Sequence, residues 1–313
     1  MTESLRINGG EQTGTTLGPS HSGYLFLDVT FAKDAVLPDA LRHRLEVSLQ
    51  ARQAPLDDHH GVPLPPDSPF PSTLTAIGAH TRVVHDTAIV VAPPLQGPRW
   101  YVGNGCCAPP SAHRTAAIVI NDGTVHFPER FAIDFLQLDD DGRLFTGDPT
   151  LLSSYPSYGA PVYAAADGIV ARTHTGEPDN PPGELPPVVS LRNAGGNYVV
   201  VEMGERRFAF YAHLQPNSIT VHEGQPVHQG QVLGLLGNSG NSDAPHLHFH
   251  IMDGPDPLGS NGLPYVFRSF DGVGVVTDFD ALLEGLPALI DPSRLSGSYV
   301  KQLPLDTQLV SFP

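Results

Sequence analysis

The sequence predicts a mainly β protein. Its 313 residues include 32 glycines and 32 prolines without a collagen-like repeat. Short runs rich in Val, Ile, Tyr and Phe alternate with turn residues, and long helical patterns are nearly absent. Such frequent turns between short β-prone runs are typical of β domains. At roughly 100 to 200 residues per domain, the length favours two domains with separate cores.

Residues 1–100 are predicted to form a small β-sandwich-like accessory domain. A proline-rich loop at 63–71 interrupts its strands, and no motif with a chemical function occurs in it, so packing or recognition is the expected role. The predicted strands are 23–29, 44–49, 82–84 and 88–91.

Residues 101–270 are predicted to form a second domain of meandering antiparallel strands, and 271–313 a C-terminal extension. The extension contains one helix candidate, residues 278–286, with Asp278 as its N-terminal cap. The strands predicted in the second domain are 162–165, 168–172, 197–202, 207–213 and 231–236.

Composition excludes several classes of partner. The net charge is −16 and no run of Lys or Arg occurs, so a nucleic-acid partner is not expected. The two cysteines, Cys106 and Cys107, are adjacent and indicate no disulfide framework. No standard signal peptide and no apolar run of 18 residues is visible, so no transmembrane segment is expected. The oligomeric state is left open.

Three histidines alternate with apolar residues near residue 248. Residues two apart in a strand share a face, so His246, His248 and His250 should line one side of a strand. A single histidine in a strand is usually structural, but three on one face indicate metal binding or proton transfer. The intervening Leu247, Phe249 and Ile251 should enter a core.

Two further residues complete the set that a zinc hydrolase needs, which is about three protein ligands and groups that move protons. His213 ends a predicted strand, where its side chain can reach the rim of a sheet. Asp134 lies in the apolar run 131–135, and its burial would be costly unless it is paired or bound to metal. A simple salt bridge remains the alternative for Asp134.

These residues fall in blocks that resemble the zinc-dependent lysostaphin-type endopeptidases, the M23 peptidases related to LytM. The likeness covers roughly residues 105–270. Its blocks are Phe-Ala-Ile-Asp-Phe at 131–135, Tyr-Ala-His-Leu at 211–214 and Gly-Asn-Ser-Asp-Ala-Pro-His-Leu-His-Phe at 240–249, with spacer strands similar to 161–170 and 224–234.

The resemblance implies an antiparallel β-sheet peptidase domain of the lysostaphin-like type and a role for each residue. Asp134 and His248 would hold zinc. His246 would be the general base, and His213 would orient or stabilise the transition state. His250 would be a neighbour without a required role.

The first block departs from the family pattern. The family has HxxxD there, whereas this chain has Arg130 four residues before Asp134, and arginine cannot replace an imidazole ligand. Either another residue supplies the third ligand, or the domain has lost its metal.

A predicted hairpin offers a replacement ligand. A two-residue turn at Asp122-Gly123 would place His113 opposite Ala132, near Asp134, and His126 close to the turn. We therefore expect His113 as the third ligand, with His126 as the alternative. The resemblance also supports His113, because divergent members carry a His-Arg pair upstream of the aspartate, like residues 113–114 here.

The sequence thus predicts a zinc metalloendopeptidase, and the resemblance implies peptidoglycan peptides as substrate in the cell envelope or outside the cell. A loop at 177–187 could wall its groove. One alternative is a metal-free peptidoglycan-binding or regulatory module on the same fold. Another is a metal-dependent esterase or amidase, although no HExxH or GxSxG motif is present.

Overall fold

The computed structural model describes residues 2–9, 12–14, 24–32, 34–51, 62–63, 71–106, 112–119, 123–186, 190 and 193–313. The contacts among its residues divide the chain into two compact units, Met1–Thr87 and Ala88–Pro313. Strands dominate both units, which confirms the mainly β prediction.

Among its described residues, the first unit contains three small antiparallel sheets, with strand orders β2-β1-β3, β4-β7 and β5-β6. Its β-rich character was expected, and the sandwich arrangement stays a prediction. The strands are β1 (Thr2–Gly9), β2 (Gln12–Gly14), β3 (Tyr24–Thr30), β4 (Ala40–Ser48), β5 (Gln50–Ala51), β6 (Val62–Pro63) and β7 (Thr73–Arg82). Of the predicted strand at 82–84, only Arg82 belongs to β7, and residues 83–84 are not in a strand.

The second unit contains sixteen strands and three short helices among the described residues. The strands are β8 (Ile89–Val91), β9 (Gly97–Gly103), β10 (Ile118–Val119), β11 (Val125–His126), β12 (Ile133–Gln137), β13 (Pro161–Tyr163), β14 (Gly168–His174), β15 (Asn197–Glu202), β16 (Phe208–Leu214), β17 (Pro226–Val227), β18 (Val232–Leu235), β19 (Leu247–Met252), β20 (Tyr265–Val276), β21 (Ile290–Asp291), β22 (Gly297–Gln302) and β23 (Gln308–Phe312). The helices are α1 (Ala112–Thr115), α2 (Phe279–Leu283) and a 3-10 turn at Leu152–Ser154.

Twelve of these strands form one sheet, ordered β17-β14-β15-β16-β19-β12-β9-β23-β20-β21, with β8 and β22 also paired to β20. All pairs are antiparallel except β8 with β20. The predicted domain boundaries after residues 100 and 270 fall inside β9 and β20, respectively. The assignment of separate roles to the three predicted segments stays a prediction.

The central strands separate apolar from polar residues by alternation. In β19, Leu247, Phe249 and Ile251 enter the main core and are fully buried, as the alternating pattern predicts. Their core neighbours include Ile133 and Phe135 of β12 and Ala209 and Tyr211 of β16. The opposite face therefore receives the polar residues of β12 and β19.

The hairpin between residues 118 and 126 differs from its prediction. Ile118 pairs with His126 and Val119 with Val125, which is one residue away from the predicted register. The ladder is only two residue pairs long, and His113 lies in α1 rather than in a strand. Asp122 of the predicted turn lies outside the described residues. The register argument that placed His113 opposite Ala132 is therefore wrong.

Helix α2 is capped as expected, because Asp278 Oδ1 accepts a hydrogen bond from Ala281 N at 3.0 Å, although the helix ends at Leu283 rather than Leu286. Cys106 is disulfide-bonded, which the adjacency of the two cysteines did not lead us to expect. Its neighbour Cys107 lies outside the described residues.

Among the described residues, no helix is long and apolar enough to cross a membrane.

The aromatic core beneath the sheet should dominate the stability of the second unit. Phe267 is 0% exposed, and its ring lies 5.5 to 6.1 Å from those of Phe135, Phe249, Tyr265 and Phe312. We expect Phe267→Ala to lower the free energy of unfolding by about 3–5 kcal/mol, because it leaves a cavity. Urea unfolding followed by fluorescence of Trp100, the single tryptophan, measures this change.

The matched control is Val300→Ala in β22, where the residue is 65% exposed. It should change the free energy of unfolding by no more than about 0.5 kcal/mol. Equal losses in the two variants would contradict the assignment of the core.

Candidate metal centre

Strand pairing brings Asp134 and His248 together. In the antiparallel ladder between β12 and β19, Asp134 lies directly opposite His248. Side chains at opposed positions share a face of the sheet, so the two residues must meet. His248 Nδ1 lies 3.0 Å from Asp134 Oδ1, and both side chains are buried.

His113 completes a group of three possible ligands. From α1, its Nε2 lies 3.3 Å from Asp134 Oδ2. One donor atom each from His113, Asp134 and His248 lie within 4.8 Å of one another. No other group of three or more potential ligands lies this close together among the described residues. The alternative, His126, is not part of the group, and its two ring nitrogens are buried without hydrogen-bond partners.

Arg130 lies outside this centre. The residue is exposed, and its guanidinium carbon lies 5.7 Å from the ring centre of Phe131. The position of the family's usual histidine therefore contributes nothing to the group, and His113 reaches the carboxylate from a different segment.

Asn104 is a polar neighbour of the centre that the sequence did not reveal. Its Nδ2 donates a hydrogen bond to Asp134 Oδ2 at 2.8 Å. The residue follows β9 with a φ of 53°, a left-handed conformation that asparagine tolerates better than most residues. An Asn immediately before Gly105 is a turn signal, but nothing in it points to a carboxylate partner.

His213 enters the centre from the end of β16. Its φ is 63°, so the chain turns there, and its backbone pairs with Gly195 and Gly237. Its Nδ1 lies 2.8 Å from the carbonyl oxygen of Ser239. A carbonyl oxygen can only accept, so Nδ1 carries the proton and Nε2 is left to act on a ligand.

His246 is held in the same way, just before β19. Its Nδ1 lies 2.8 Å from the carbonyl oxygen of Ala244 and 3.2 Å from Ser242 Oγ. Its Nε2 lies 3.4 Å from Asp134 Oδ1, and its ring centre 4.7 Å from that of His213. Two imidazoles with their Nδ1 protons bound to the backbone thus flank the three-residue group.

The carboxylate dominates the electrostatics of the centre. Burial by itself would raise the pKa of Asp134, but the imidazoles of His113 and His246 outweigh it and hold that pKa well below its ordinary value. Burial likewise opposes the charged form of His113, yet Asp134 and Glu129 raise its pKa to about 9. The pKa of His246 is also raised, because Asp134 outweighs burial.

The pKa of His213 shifts in the opposite direction. Burial lowers its pKa well below the ordinary value, and the neighbouring His246 and His248 add to that effect. The centre therefore holds an ionised carboxylate together with one imidazole kept neutral. Such groups can bind a cation and accept a proton in a partly enclosed site.

His250 shares the polar face, as the alternation predicts. It is fully buried, and its Nδ1 lies 3.0 Å from His248 Nε2. It does not contact Asp134 within hydrogen-bond distance in the described structure, whereas His246 and His248 do.

The sequence model of Peptidase family M23 matches residues 153–260. This part of the chain is similar to peptidase family M23. The match includes His213, His246 and His248, while His113 and Asp134 precede it. The M23 match thus covers three residues of the centre, and only the structure places His113 and Asp134 beside them.

Curated relatives of the M23 segment come from Vibrio cholerae. The peptidoglycan DD-endopeptidase ShyA is 37% identical over 94 residues, which are 30% of this chain and 18% of the relative. The peptidoglycan DD-endopeptidase ShyC is 32% identical over 94 residues, with the same two shares. The chain therefore matches less than a fifth of the length of these relatives.

Solved structures of M23 proteins also match. A mutant catalytic domain of the prophage-encoded M23 protein EnpA from Enterococcus faecalis is 19% identical and covers 55% of this chain and 93% of that chain, with a TM-score of 0.33. The catalytic domain of lysostaphin from Staphylococcus simulans is 22% identical and covers 53% and 88%, with a TM-score of 0.29.

A cavity of about 330 Å³ opens onto the candidate metal centre. Its larger apolar and aromatic lining residues are Leu185, Tyr198, Phe210, Pro257 and Leu258. Glu129 and Asp243 add carboxylates, and no Lys or Arg lines the cavity among the described residues. The cavity thus combines acidic groups with partly apolar walls.

The predicted wall loop does contribute to this cavity, through Leu185. Asn180 fastens the loop to the segment before His246, because its Nδ2 donates to the carbonyl oxygens of Gly240 at 2.7 Å and Ser242 at 2.8 Å. The same segment is also tightly packed at Gly240. A Cβ on Gly240, whose φ is +75°, would lie 2.2 Å from Gly196 N.

Asn180 should therefore be needed for local order in the M23 domain. We expect Asn180→Ala to lower the free energy of unfolding by about 1–3 kcal/mol, because two carbonyl groups lose their partner. It should also speed amide hydrogen exchange in the segment 238–243. Urea unfolding and exchange mass spectrometry measure the two effects.

Gln229→Ala is the control, since it removes an exposed amide group whose oxygen accepts from Arg268 at 3.0 Å. It should leave exchange in 238–243 unchanged. If Asn180→Ala behaves like this control, Asn180 does not fasten the loop.

Proposed function

We propose that the chain is a zinc metallopeptidase that hydrolyses peptide bonds in peptidoglycan peptides. The observation that carries the proposal is the arrangement of five side chains at one place. Three potential ligands lie within 4.8 Å of one another, and two imidazoles flank them with Nδ1 bound to backbone carbonyls. The M23 match and the peptidoglycan endopeptidases among the relatives support the same activity.

The chemistry of the donor set fits zinc. Two imidazoles and one carboxylate, His113, His248 and Asp134, would supply three ligands, and catalytic zinc sites keep a fourth position for water or substrate. Asp134 already faces both histidines at 3.0 to 3.3 Å, so little rearrangement is needed to bring their donor atoms onto one cation. When bound, zinc supplies Lewis-acid polarisation of a carbonyl group and a water acidic enough to lose a proton near neutral pH.

His246 is proposed as the general base. Its Nδ1 proton is bound to the carbonyl of Ala244, which directs Nε2 towards Asp134 and the metal group. A general base must lie within hydrogen-bond reach of the proton it takes, and Nε2 is the nitrogen placed for it. Ser242 Oγ, 3.2 Å from Nδ1, supports this orientation.

His213 is proposed to contact the developing oxyanion. Its Nδ1 proton is bound to Ser239, so in the neutral ring Nε2 is unprotonated and must first accept a proton before it can donate to the oxyanion. Its ring lies 4.7 Å from that of His246 on the same side of the cavity. The two imidazoles can therefore divide the acid and base roles between them.

The cavity favours an extended peptide. Its walls are partly apolar, and its two additional carboxylates, Glu129 and Asp243, would repel a substrate with a carboxylate beside the scissile bond. We propose peptidoglycan peptides because the relatives bear that name, and with them a location in the cell envelope or outside the cell. Residues 1–100 would then be an accessory segment.

Zinc content tests the ligand set. The wild type should bind about one zinc ion per chain, as a catalytic site does. His113→Ala should lose it, because two ligands hold zinc poorly, whereas His126→Ala should keep it. Elemental analysis after dialysis against zinc measures the content. A wild type that binds no zinc would instead favour the metal-free binding module.

Peptidase assays test the two flanking imidazoles. His246→Ala and His213→Ala should each lower kcat on purified peptidoglycan by about 100- to 10,000-fold, because proton transfer and oxyanion contact are lost. Both should retain the zinc content of the wild type, since neither is a ligand. Release of soluble peptides measures the rate, and the exposed His228→Ala serves as control.

Retained activity in both variants would contradict these roles. Zinc-loaded protein that cleaves an ester or a non-peptidoglycan amide but no peptidoglycan would move the proposal to the metal-dependent esterase or amidase.

A further inference from the structure

One buried imidazole has no part in the proposed reaction. His250 lies on β19 opposite Phe210 of β16, and its side chain is 0% exposed. Its ring centre lies 5.1 Å from that of Phe210 and 5.2 Å from that of His248. A buried polar ring loses its contacts with water, so its hydrogen bonds need an explanation.

The explanation lies in its contact with His248. His250 Nδ1 is 3.0 Å from His248 Nε2, while the other nitrogen of His248, Nδ1, is 3.0 Å from Asp134 Oδ1. The ring of His248 is thus held at both nitrogens, by an imidazole on one side and by the carboxylate of the metal group on the other. Rotation about its side-chain bonds would break both contacts.

The Asp134 carboxylate can only accept, so without a cation its contact places a proton on His248 Nδ1, and a bound cation would replace that proton. To bind a cation through Nδ1, His248 must carry its proton on Nε2. That proton then points at His250 Nδ1, which must accept it, so the proton of His250 lies on Nε2.

We propose that His250 is a positioning residue for the metal ligand His248. It accepts the Nε2 proton of His248, fixes the ring tautomer and aims His248 Nδ1 at the metal. The proposal rests on the proposed zinc function. Partners of metal-binding histidines are usually carboxylates, backbone carbonyls or water, and here an imidazole takes that place.

Zinc affinity separates this role from simple packing. His250→Leu fills the space but cannot accept a hydrogen bond, and should weaken zinc binding about 10- to 100-fold. His250→Gln offers an amide oxygen to the same proton and should restore affinity to within a few-fold of the wild type. Competition with a chromophoric chelator, on full-length protein, measures the affinity.

The absorption spectrum of the cobalt-substituted protein is a second measurement that does not depend on activity. His250→Leu should alter the ligand-field bands, because His248 is free to tilt, whereas His250→Gln should preserve them. His126→Leu is the matched control. Both ring nitrogens of His126 are buried without a partner, as Nε2 of His250 is, yet His126 lies outside the metal group, so affinity and spectrum should not change.

Unfolding measured by Trp100 fluorescence distinguishes a variant that fails to fold from one that binds zinc weakly. Equal zinc affinity in folded His250→Leu and wild type would overturn the positioning role, even if stability fell. A wild type that binds no zinc would overturn the proposed function itself, which is a different result. Loss of affinity in His250→Gln as large as in His250→Leu would also overturn the hydrogen-bond argument.

Discussion

The antiparallel pairing of β12 with β19 is the constraint on which the rest of the second unit depends. It sets Asp134 opposite His248 on one face and Ile133 opposite Phe249 on the other. A shift of one residue would exchange the two faces, placing the carboxylate in the aromatic core. The same register therefore specifies both the core and the polar centre, and the burial of Phe249 helps to hold Asp134 in place.

The buried polar groups of the centre must serve as hydrogen-bond and ion-pair partners for one another. Asp134 is contacted by four side chains, those of Asn104, His113, His246 and His248. An unpaired buried carboxylate would be far too costly, so these contacts are a condition for folding as well as for chemistry. Two residues of the centre also have unfavourable backbone conformations. Asn104 and His213 both adopt positive φ, a conformation that costs about 1–3 kcal/mol and persists where surrounding structure enforces it.

Much of this centre was predicted from the sequence, although not every prediction rested on a correct structural argument. The alternation of residues 246–251 correctly predicted a strand with a polar and an apolar face, because that pattern is local. His113 was predicted next to Asp134 from a hairpin register that the structure does not have; α1 delivers it instead. Asn104 was missed, and so were the carbonyls of Ser239 and Ala244, because backbone acceptors leave no mark in the sequence. The ligand and catalytic roles themselves stay predictions.

The sequence by itself determined the β class, the positions along the chain of several strands in the second unit and the faces of β19. These follow from periodicity and turn residues, which act over a few positions. Only the tertiary structure decided which histidine meets Asp134 from a distant segment, which nitrogen of His213 and His246 faces the cavity, and what His250 contacts. Such relations depend on long-range register and on backbone geometry outside the strands, where a shift of one residue changes every contact.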